Sequence, residues 1–377
     1  MFRMNETFIP LTAPCIDDDD ICQMEKAVRA KAVSQGSIAE SFESAFVGLL
    51  GAKGAVAVNS CTSALLLALR VLDVGQEDEV VLPSYTCLAL LNAVKQIGAT
   101  PRLVDNHYDP VRMDYNIKKD GVLDAISAKT KAVIVPHMFG VAAEVDQIVS
   151  SGIPVIEDIT LSLGVEYKGR IVGSFGALSV CSFHASKMIT SGEGGILTAP
   201  TSALYDRVIY LNRWECEQRR ARLEGTKDLR YEVRYNFHLS DILASLGLSQ
   251  LSKLQSFICR RRELGCQYSE RLSKFSRIQV PDPSEKNNVF FRYLVALPEG
   301  FDIGRIIRKF SAAEIEIGRG VYPSLHNYLG LSADCFPNAE RAMHTLLSIP
   351  LYPALTDEQV EHILRISEKV FREEGLI

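Results

Sequence analysis

Short apolar runs alternate with amphipathic segments over the first half of the chain. Apolar runs that end in polar turns are typical of buried strands, and the segments between them repeat apolar residues at helical spacing. This alternation predicts crossover units and a mostly parallel sheet, so the expected class is α/β. The predicted strands are Ala55–Val58, Glu79–Leu82, Arg102–Asp105, Ala132–Pro136, Val155–Glu157, Ala177–Phe183 and Gly195–Ala199, with helices at Ser63–Val71 and Leu88–Ile97.

The last third of the chain has a different pattern. A long helical repeat runs from about Ser240 to Ser273, followed by a strand pattern at Val289–Leu297 and helical patterns at Ile303–Phe310 and after Thr356. We therefore expect a large α/β domain over residues 1–255, with an N-terminal arm of about residues 1–20. A smaller C-terminal α+β domain would cover residues 256–377.

Lys187 stands where an apolar strand gives way to a polar, glycine-rich turn. The strand pattern Ala177–Phe183 precedes it, and Gly192-Glu193-Gly194-Gly195 follows. A lysine in partly apolar surroundings is deprotonated more easily, so its amine becomes a usable nucleophile. Taken alone, this pattern is more typical of a surface lysine after a strand, and it is the rest of the chain that favours a catalytic amine.

Asp158 ends the apolar strand that begins at Pro154, upstream of Lys187. Ligands in open α/β sheets bind beyond the carboxyl ends of strands, where an acid can reach a bound ring. Pyridoxal phosphate (PLP) requires a lysine for its aldehyde and an acid that keeps its ring nitrogen protonated. Asp158 and Lys187 together indicate a PLP site, although an acid that caps a helix or turn would look the same at Asp158.

A small polar turn, Asn59–Ser63, joins the strand Ala55–Val58 to an apolar helix. The backbone N–H groups and the dipole at a helix N-terminus form an anion site, which here predicts a phosphate cradle. The hydroxyl of Ser182 would add to the same cradle. An ordinary capped helix is the alternative interpretation of the turn.

These residues resemble the DegT/DnrJ/EryC1/StrS family of sugar aminotransferases, which have the type I fold of PLP enzymes. The resemblance runs from Ile9 almost to the C-terminus, and the order and spacing of the matching stretches make it specific. The stretches include Ala57–Leu65, Leu82–Thr86, Val135–Gly140, Glu157-Asp158, Gly173–Gly176, Ser182–Lys187, Gly192–Gly195, Tyr235–Asp241 and Ser348–Leu351.

The resemblance implies a role for each matching residue. Lys187 would bind the cofactor's aldehyde and then move the proton, and Asp158 would pair with the ring nitrogen. Asn236 matches the position from which the neighbouring subunit reaches the phosphate, so the resemblance implies a homodimer with shared active sites. The residues implied to hold the phosphate are Ser60, Cys61, Thr62 and Ser182.

Two positions near the implied cofactor ring depart from the family pattern. Leu161 stands where the family usually has Gln or His, and Cys87 stands where it usually has an aromatic side chain. The first change removes a hydrogen bond and the second removes stacking, each on the order of 1 kcal/mol. Neither abolishes chemistry at Lys187, but both bear on the class of substrate.

Three further residues are candidates for substrate contact. His184 precedes Lys187 in the same turn, and Arg319 and His326 fall where family members bind substrate. Arg319 would hold a carboxylate or phosphate through its planar fork, or would be a solvated loop arginine. Packed or hydrogen-bonded histidines are commoner than catalytic ones, so His184 is the weaker candidate.

The composition limits the kinds of partner and the location that we expect. The formal net charge is −5 and no long basic run is present, so we do not expect a nucleic-acid partner. The nine cysteines are scattered without a metal-binding spacing, so we expect no metal and a reducing, cytoplasmic location. No segment reaches the roughly 18 apolar residues of a membrane span, and we see no signal peptide.

The expected activity is PLP-dependent transfer of an amino group from an amino acid to a keto-sugar. Glutamate or glutamine is the expected donor, and the sugar is expected to be linked to a nucleotide. Two alternatives remain at this point. One is a PLP enzyme of the same fold that acts on a non-sugar keto or amino acid, which Leu161 and Cys87 motivate. The other is a non-enzymatic regulatory or binding homologue.

Overall fold

A seven-stranded sheet forms the centre of the protein. The computed structural model describes residues 8–213, 232–284 and 287–376. The strands lie in the order β1-β9-β8-β5-β4-β2-β3. Their bounds are β1 Gly54–Val58, β2 Glu79–Pro83, β3 Thr100–Val104, β4 Thr130–Pro136, β5 Val155–Asp158, β8 Leu178–Ser182 and β9 Gly195–Ala199, and a separate small ribbon consists of β6 Glu166–Tyr167 and β7 Arg170–Ile171.

Every strand of this sheet except β9 runs in one direction. β2, β3, β4, β5 and β8 pair in parallel, whereas β9 is antiparallel to both of its neighbours, β8 and β1. The carboxyl ends of the parallel strands consequently lie along one edge of the sheet. The sequence prediction of a mostly parallel α/β sheet is confirmed, and all seven predicted strands are present within one or two residues of their predicted ends.

Helices cover both faces of the sheet. Along β1, Val56 and Val58 pack on one face with the helices Cys61–Val71 and Leu88–Gln96, whereas Ala55 and Ala57 belong to the core on the other face with the helix Ser37–Leu50. Burial on both faces is the reason that these strands are nearly continuously apolar. Within the described residues the α-helices are α1 Asp18–Arg29, α2 Ser37–Leu50, α3 Cys61–Val71, α4 Leu88–Gln96, α5 Lys119–Ala125, α6 Val145–Val149, α7 Ser202–Asn212, α8 Asp241–Ser252, α9 Leu254–Leu272, α10 Ile303–Ser311, α11 Leu325–Tyr328, α12 Pro337–Thr345 and α13 Asp357–Glu373.

The C-terminal part contains a three-stranded antiparallel sheet. Its order is β10-β12-β11, with β10 at Tyr293–Ala296, β11 at Gly318–Arg319 and β12 at Leu346–Ile349. Helix α13 packs on α9 and α10, and its start carries the predicted capping box of Thr356 and Gln359. This smaller α+β unit agrees with the predicted fold class.

Two sequence predictions in this part need correction. The long helical repeat is two helices, α8 and α9, which meet at Lys253 because α8 packs against α1 and α2 while α9 packs against α13. The predicted strand Val289–Leu297 shortens to Tyr293–Ala296. Phe290 adopts a left-handed backbone (φ 47°), which cannot continue a strand.

The division into domains stays a prediction. The predicted boundary between residues 255 and 256 falls in the first turn of α9, so this helix crosses it without a break. Of the predicted arm, residues 1–7 lie outside the described residues. Ile9 pairs with Ile315 in a parallel bridge, which ties the start of the described chain to the C-terminal part.

None of the helices within the described residues is long and apolar enough to cross a membrane.

Candidate active site

A cavity of about 300 Å³ opens at the carboxyl edge of the central sheet. The loops after β1, β2, β4, β5 and β8 all reach it because the carboxyl ends of these strands share that edge. This is where open α/β sheets bind ligands. Predicted residues that line the cavity are Ser60, Cys61, Thr62, Cys87, Asp158, Leu161, Ser182, His184 and Lys187.

The N-terminus of α3 forms one wall of the cavity. Ser60 caps the helix by accepting a hydrogen bond from the Ser63 N–H at 3.1 Å. No acceptor among the described residues takes the N–H groups of Cys61 and Thr62, which are free for an anion. β9 passes so close that a Cβ on Gly195 would lie 2.6 Å from the Cys61 nitrogen, so glycine is required there.

Asp158 is buried at the end of β5, with 6% of its surface exposed. Burial raises the pKa of its carboxyl group, although hydrogen bonds from the Thr160 side chain and the Thr160 N–H (3.0 Å to Oδ1) and attraction to Lys187 oppose that rise. The carboxylate is therefore only partly compensated by the protein. A cationic N–H donor placed in the cavity would stabilise its charged form.

Thr160 connects three of the elements around the cavity. Its Oγ1 accepts the Ser182 N–H of β8 at 3.0 Å and lies 3.7 Å from the Cys61 sulfur at the start of α3. This hydroxyl fixes the distance between the end of β8 and the helix N-terminus. Thr160 was not among the residues predicted from the sequence. The available signal was a polar residue between Ile159 and Leu161, directly after a strand that ends in an acid.

Lys187 lies in the turn that follows β8, and it is half-buried. Its backbone N–H donates to the His184 carbonyl at 2.9 Å, and its Nζ lies 5.5 Å from the centre of the Phe291 ring. The amine is therefore held between the sheet edge and a residue from the C-terminal part. His184 lies at the exposed rim, with its Nε2 3.8 Å from the Glu193 carboxylate.

Glu157, one residue before Asp158, is completely buried behind the cavity. His137 accepts the Ala143 N–H at Nδ1 (3.0 Å), so its Nε2 carries the proton and donates to Glu157 at 3.0 Å. Burial alone would raise the pKa of Glu157, but this bond and backbone N–H donors lower it below its ordinary value. Hydrogen bonds within the protein thus stabilise the charged form of Glu157.

Both departures from the family pattern lie in the cavity wall. Cys87 is the N-cap residue of α4 and keeps an exposed surface, but desolvation in the cavity wall and the charge of Asp158 raise the pKa of its thiol. Burial likewise raises the pKa of Cys61 and Cys181 well above the ordinary range of a thiol. These thiols stay protonated at neutral pH, so the wall near Asp158 carries no thiolate charge.

Three predicted residues do not line the cavity. Asn236 is exposed on the surface. Arg319 donates to the Met343 carbonyl at 3.0 Å and lies over the Tyr322 ring. His326 is fully buried with both ring nitrogens engaged, Nδ1 with Ser84 Oγ and Nε2 with the Glu340 carboxylate, each at 2.6 Å. The structure thus offers no contact between the cavity and the side chains of Arg319 and His326, because tertiary partners occupy them.

Phe291 and Arg292 line the cavity and were also missed. They come from the C-terminal part, and the loop after β4 holds them in place through the Val289 N–H, which donates to the Gly140 carbonyl at 3.2 Å. A Cβ on Gly140 would lie 2.6 Å from Asn288 Oδ1, so only glycine allows this approach. The available signal was an arginine inside the apolar run Val289–Leu297.

The cavity residues fit PLP. A free helix N-terminus suits its phosphate, a buried and under-compensated carboxylate suits its ring nitrogen, and a half-buried lysine suits its aldehyde. All three lie in one cavity, contributed by α3, β5 and the turn after β8. The cavity has the chemical parts that a PLP enzyme requires.

Comparison with known proteins gives the same assignment. The sequence profile of the DegT/DnrJ/EryC1/StrS aminotransferase family matches residues 14–367. The chain is 31% identical to the GDP-perosamine synthase of Escherichia coli O157:H7, over 88% of this chain and 89% of that protein.

Solved structures agree with the sequence match. The Streptococcus pneumoniae protein Spr1654 in its PMP-form superimposes with a TM-score of 0.85 at 25% identity, covering 98% of this chain and 100% of that one. Its PLP-form gives a TM-score of 0.83 at 27% identity, with 96% and 99% covered. DesI, solved in the presence of its TDP-sugar product, gives 0.86 at 25% identity, with 99% and 95% covered.

A family match over nearly the whole chain, joined to a lysine, a buried aspartate and a free helix N-terminus in one cavity, leads to one conclusion: the chain belongs to the DegT/DnrJ/EryC1/StrS aminotransferase family and is a PLP-dependent aminotransferase.

Proposed function

We propose that the protein moves an amino group from glutamate or glutamine to a keto-sugar carried on a nucleotide. The observation that supports this most directly is that Lys187, Asp158 and the α3 N-terminus line one cavity. The similarity to a GDP-perosamine synthase, and to DesI with its TDP-sugar product, supports a nucleotide-linked sugar as the acceptor.

Lys187 and Asp158 would perform the central chemistry. Bound PLP supplies an electron sink that stabilises negative charge on the donor's α carbon. Lys187 would hold the aldehyde and, once released, would carry the proton away from that α carbon through its Nζ. Asp158 would keep the ring nitrogen protonated, because a buried carboxylate is stabilised by an adjacent N–H cation.

The start of α3 would hold the phosphate. The free N–H groups of Cys61 and Thr62, with the hydroxyls of Ser60, Thr62 and Ser182, would orient it. The helix dipole would add a favourable interaction of about 0.3–1 kcal/mol. Leu161 and Cys87 would contact the ring and make its surroundings less polar and less stacked than is usual in the family.

Asn236 would reach the phosphate of a second subunit, so the active form would be a homodimer. Asn236 is exposed. The carbonyl of the adjacent Phe237 accepts the Asn59 N–H at 3.0 Å, at the start of the polar turn that precedes α3. Mixing Lys187→Ala and Asn236→Ala subunits tests this proposal. Hybrid dimers with one intact site should recover activity that neither variant has alone, and no recovery would reject shared sites.

Absorption spectroscopy of the PLP-loaded protein tests the proposed activity. Excess L-glutamate or L-glutamine should convert the lysine-bound cofactor to pyridoxamine phosphate, and a nucleotide-linked keto-sugar should restore it. Restoration by simple keto acids but by no keto-sugar would favour the non-sugar alternative that Leu161 and Cys87 motivate. A spectrum that no amino acid changes would reject the transfer reaction.

A further inference from the structure

Thr160 supplies all of the hydrogen bonds that the described residues give to the buried carboxylate of Asp158. Its backbone N–H donates to Oδ1 at 3.0 Å, and its side chain adds a second hydrogen bond. Lys187 acts on the same carboxylate by charge attraction. A buried carboxylate ordinarily has several donors, as Glu157 does. The charge state of Asp158 before a ligand binds therefore depends strongly on this one residue.

The hydroxyl proton of Thr160 has only one strong acceptor among the described residues. Oγ1 accepts the Ser182 N–H at 3.0 Å, which uses one of its two lone pairs. The Cys61 sulfur, 3.7 Å away, belongs to a protonated thiol, which is a weak acceptor. The hydroxyl therefore donates its proton to Asp158, and the Ser182 N–H holds it in that orientation.

The carboxyl group of Asp158 has two possible states, which have opposite consequences for the ring nitrogen of a bound cofactor. The ionised carboxylate accepts an N–H bond and leaves the proton on the ring, where it strengthens the electron sink. The neutral acid keeps the proton itself. Burial favours the neutral acid, whereas a hydrogen bond donated to the carboxylate favours the ionised form. Loss of the Thr160 hydroxyl would shift the balance toward the neutral acid.

We propose that Thr160 is a positioning residue whose hydroxyl keeps Asp158 ionised and oriented, so that the shared proton stays on the ring nitrogen of PLP. This inference rests on the proposed pairing of Asp158 with that nitrogen. Two neighbouring cavity residues cannot take over the role, because Leu161 has no hydrogen-bonding group and Cys87 has only a weak thiol donor.

The first test removes the hydroxyl and locates the proton. The protein is loaded with PLP that carries an isotopic label at its ring nitrogen, and nitrogen NMR distinguishes a protonated from an unprotonated ring. Wild type and Thr160→Ser, which keeps the hydroxyl, should give the signal of a protonated nitrogen. Thr160→Val and the smaller Thr160→Ala, which both lack it, should shift toward the unprotonated signal. An unchanged signal in the hydroxyl-free variants would overturn the inference.

Binding of two cofactors to the cofactor-free protein gives a second test. PLP should bind wild type about 30-fold more tightly than its deaza analogue, in which a carbon atom replaces the ring nitrogen and a charged hydrogen bond is lost. In Thr160→Val this preference should fall to about fivefold, because a neutral hydrogen bond is roughly half as strong. Thr160→Ser should keep the full preference. So should the control Thr198→Val, which loses a buried hydroxyl that contacts Ser179 on the same sheet.

The two tests separate this inference from the proposed function. A wild-type protein that shows no preference for PLP over the deaza analogue would refute the pairing of Asp158 with the ring nitrogen, and the inference with it. A wild-type preference that Thr160→Val retains in full would overturn the inference alone, even if that variant binds both cofactors more weakly. Neither test uses an amino acid or a sugar, so both hold for any donor and acceptor.

Discussion

Glu157 and Asp158 are consecutive carboxylates on β5, yet they belong to two different regions of the molecule. Successive side chains of a strand point to opposite faces, so Glu157 lies behind the sheet edge and Asp158 at the cavity. Glu157 accepts backbone N–H groups of residues 173, 175 and 176 at 2.8, 2.7 and 2.6 Å, in addition to the bond from His137.

The two carboxyl groups consequently have opposite pKa shifts. Burial disfavours the charged form of both groups. The hydrogen bonds from His137 and several backbone N–H groups lower the pKa of Glu157, whereas the hydrogen bonds that Thr160 alone gives Asp158 leave the pKa of Asp158 raised. A buried carboxylate that the protein satisfies contributes to stability. A buried carboxylate that the protein leaves partly unsatisfied is available to a ligand. Four substitutions test this contrast.

Lys187→Ala should have the largest effect on activity and little effect on stability. We expect turnover to fall by about 10⁴-fold, which corresponds to about 5 kcal/mol, because the variant loses both the amine and the proton carrier. The absorption band of lysine-bound cofactor should disappear, while the free energy of unfolding of the cofactor-free protein should change by less than about 1 kcal/mol. Retained turnover would contradict the central role of this amine.

Asp158→Asn should separate activity from stability. We expect a decrease in turnover of about 100-fold or more, since a charged partner of the reacting group is lost. The ionised carboxylate of Asp158 destabilises the folded protein. This destabilisation develops as pH rises from the unfolded pKa of Asp158 through its raised folded pKa. At neutral pH the cofactor-free variant should therefore be at least as stable as wild type in urea unfolding. Lower stability with normal turnover would mean that Asp158 supports the fold and not the reaction.

Glu157→Gln should give the opposite result. We expect the free energy of unfolding to fall by about 3 kcal/mol, because several buried N–H donors lose a charged acceptor. The lowered pKa of Glu157 stabilises the protein above the unfolded pKa of about 4.3. This contribution disappears as pH falls through the lower folded pKa.

Urea unfolding as a function of pH measures that contribution. As pH falls, the free energy of unfolding should decrease less in Glu157→Gln than in wild type. The exposed control Glu166→Gln should behave like wild type. An unchanged pH profile in Glu157→Gln would mean that the carboxylate adds no net stability.

Leu161→Gln should give the smallest effect. A polar group restored beside the cofactor ring is worth about 1 kcal/mol, so we expect the Kd for PLP to fall about fivefold. The non-polar control Leu161→Met should leave the Kd unchanged. Equal affinity in both variants would show that Leu161 does not contact the ring's polar edge.

Much of the fold was predictable because its patterns are local. Apolar runs fix the seven strands of the large sheet, and the capping box at Thr356 fixes the start of α13. The single long helix was a wrong prediction because Lys253 carries no breaking signal, and only the different packing partners of α8 and α9 divide the repeat.

The sequence alone determined the α/β class, the parallel edge and the residues contributed to that edge by strand ends, because the direction of parallel strands gathers those ends in one place. Which polar side chains remain available to a ligand depends instead on tertiary contacts. These contacts bury His326 and occupy Arg319, and they bring Phe291 and Arg292 to the cavity from the C-terminal part. The physical reason is that hydrogen-bond satisfaction depends on contacts between residues distant in the chain, which no local pattern encodes.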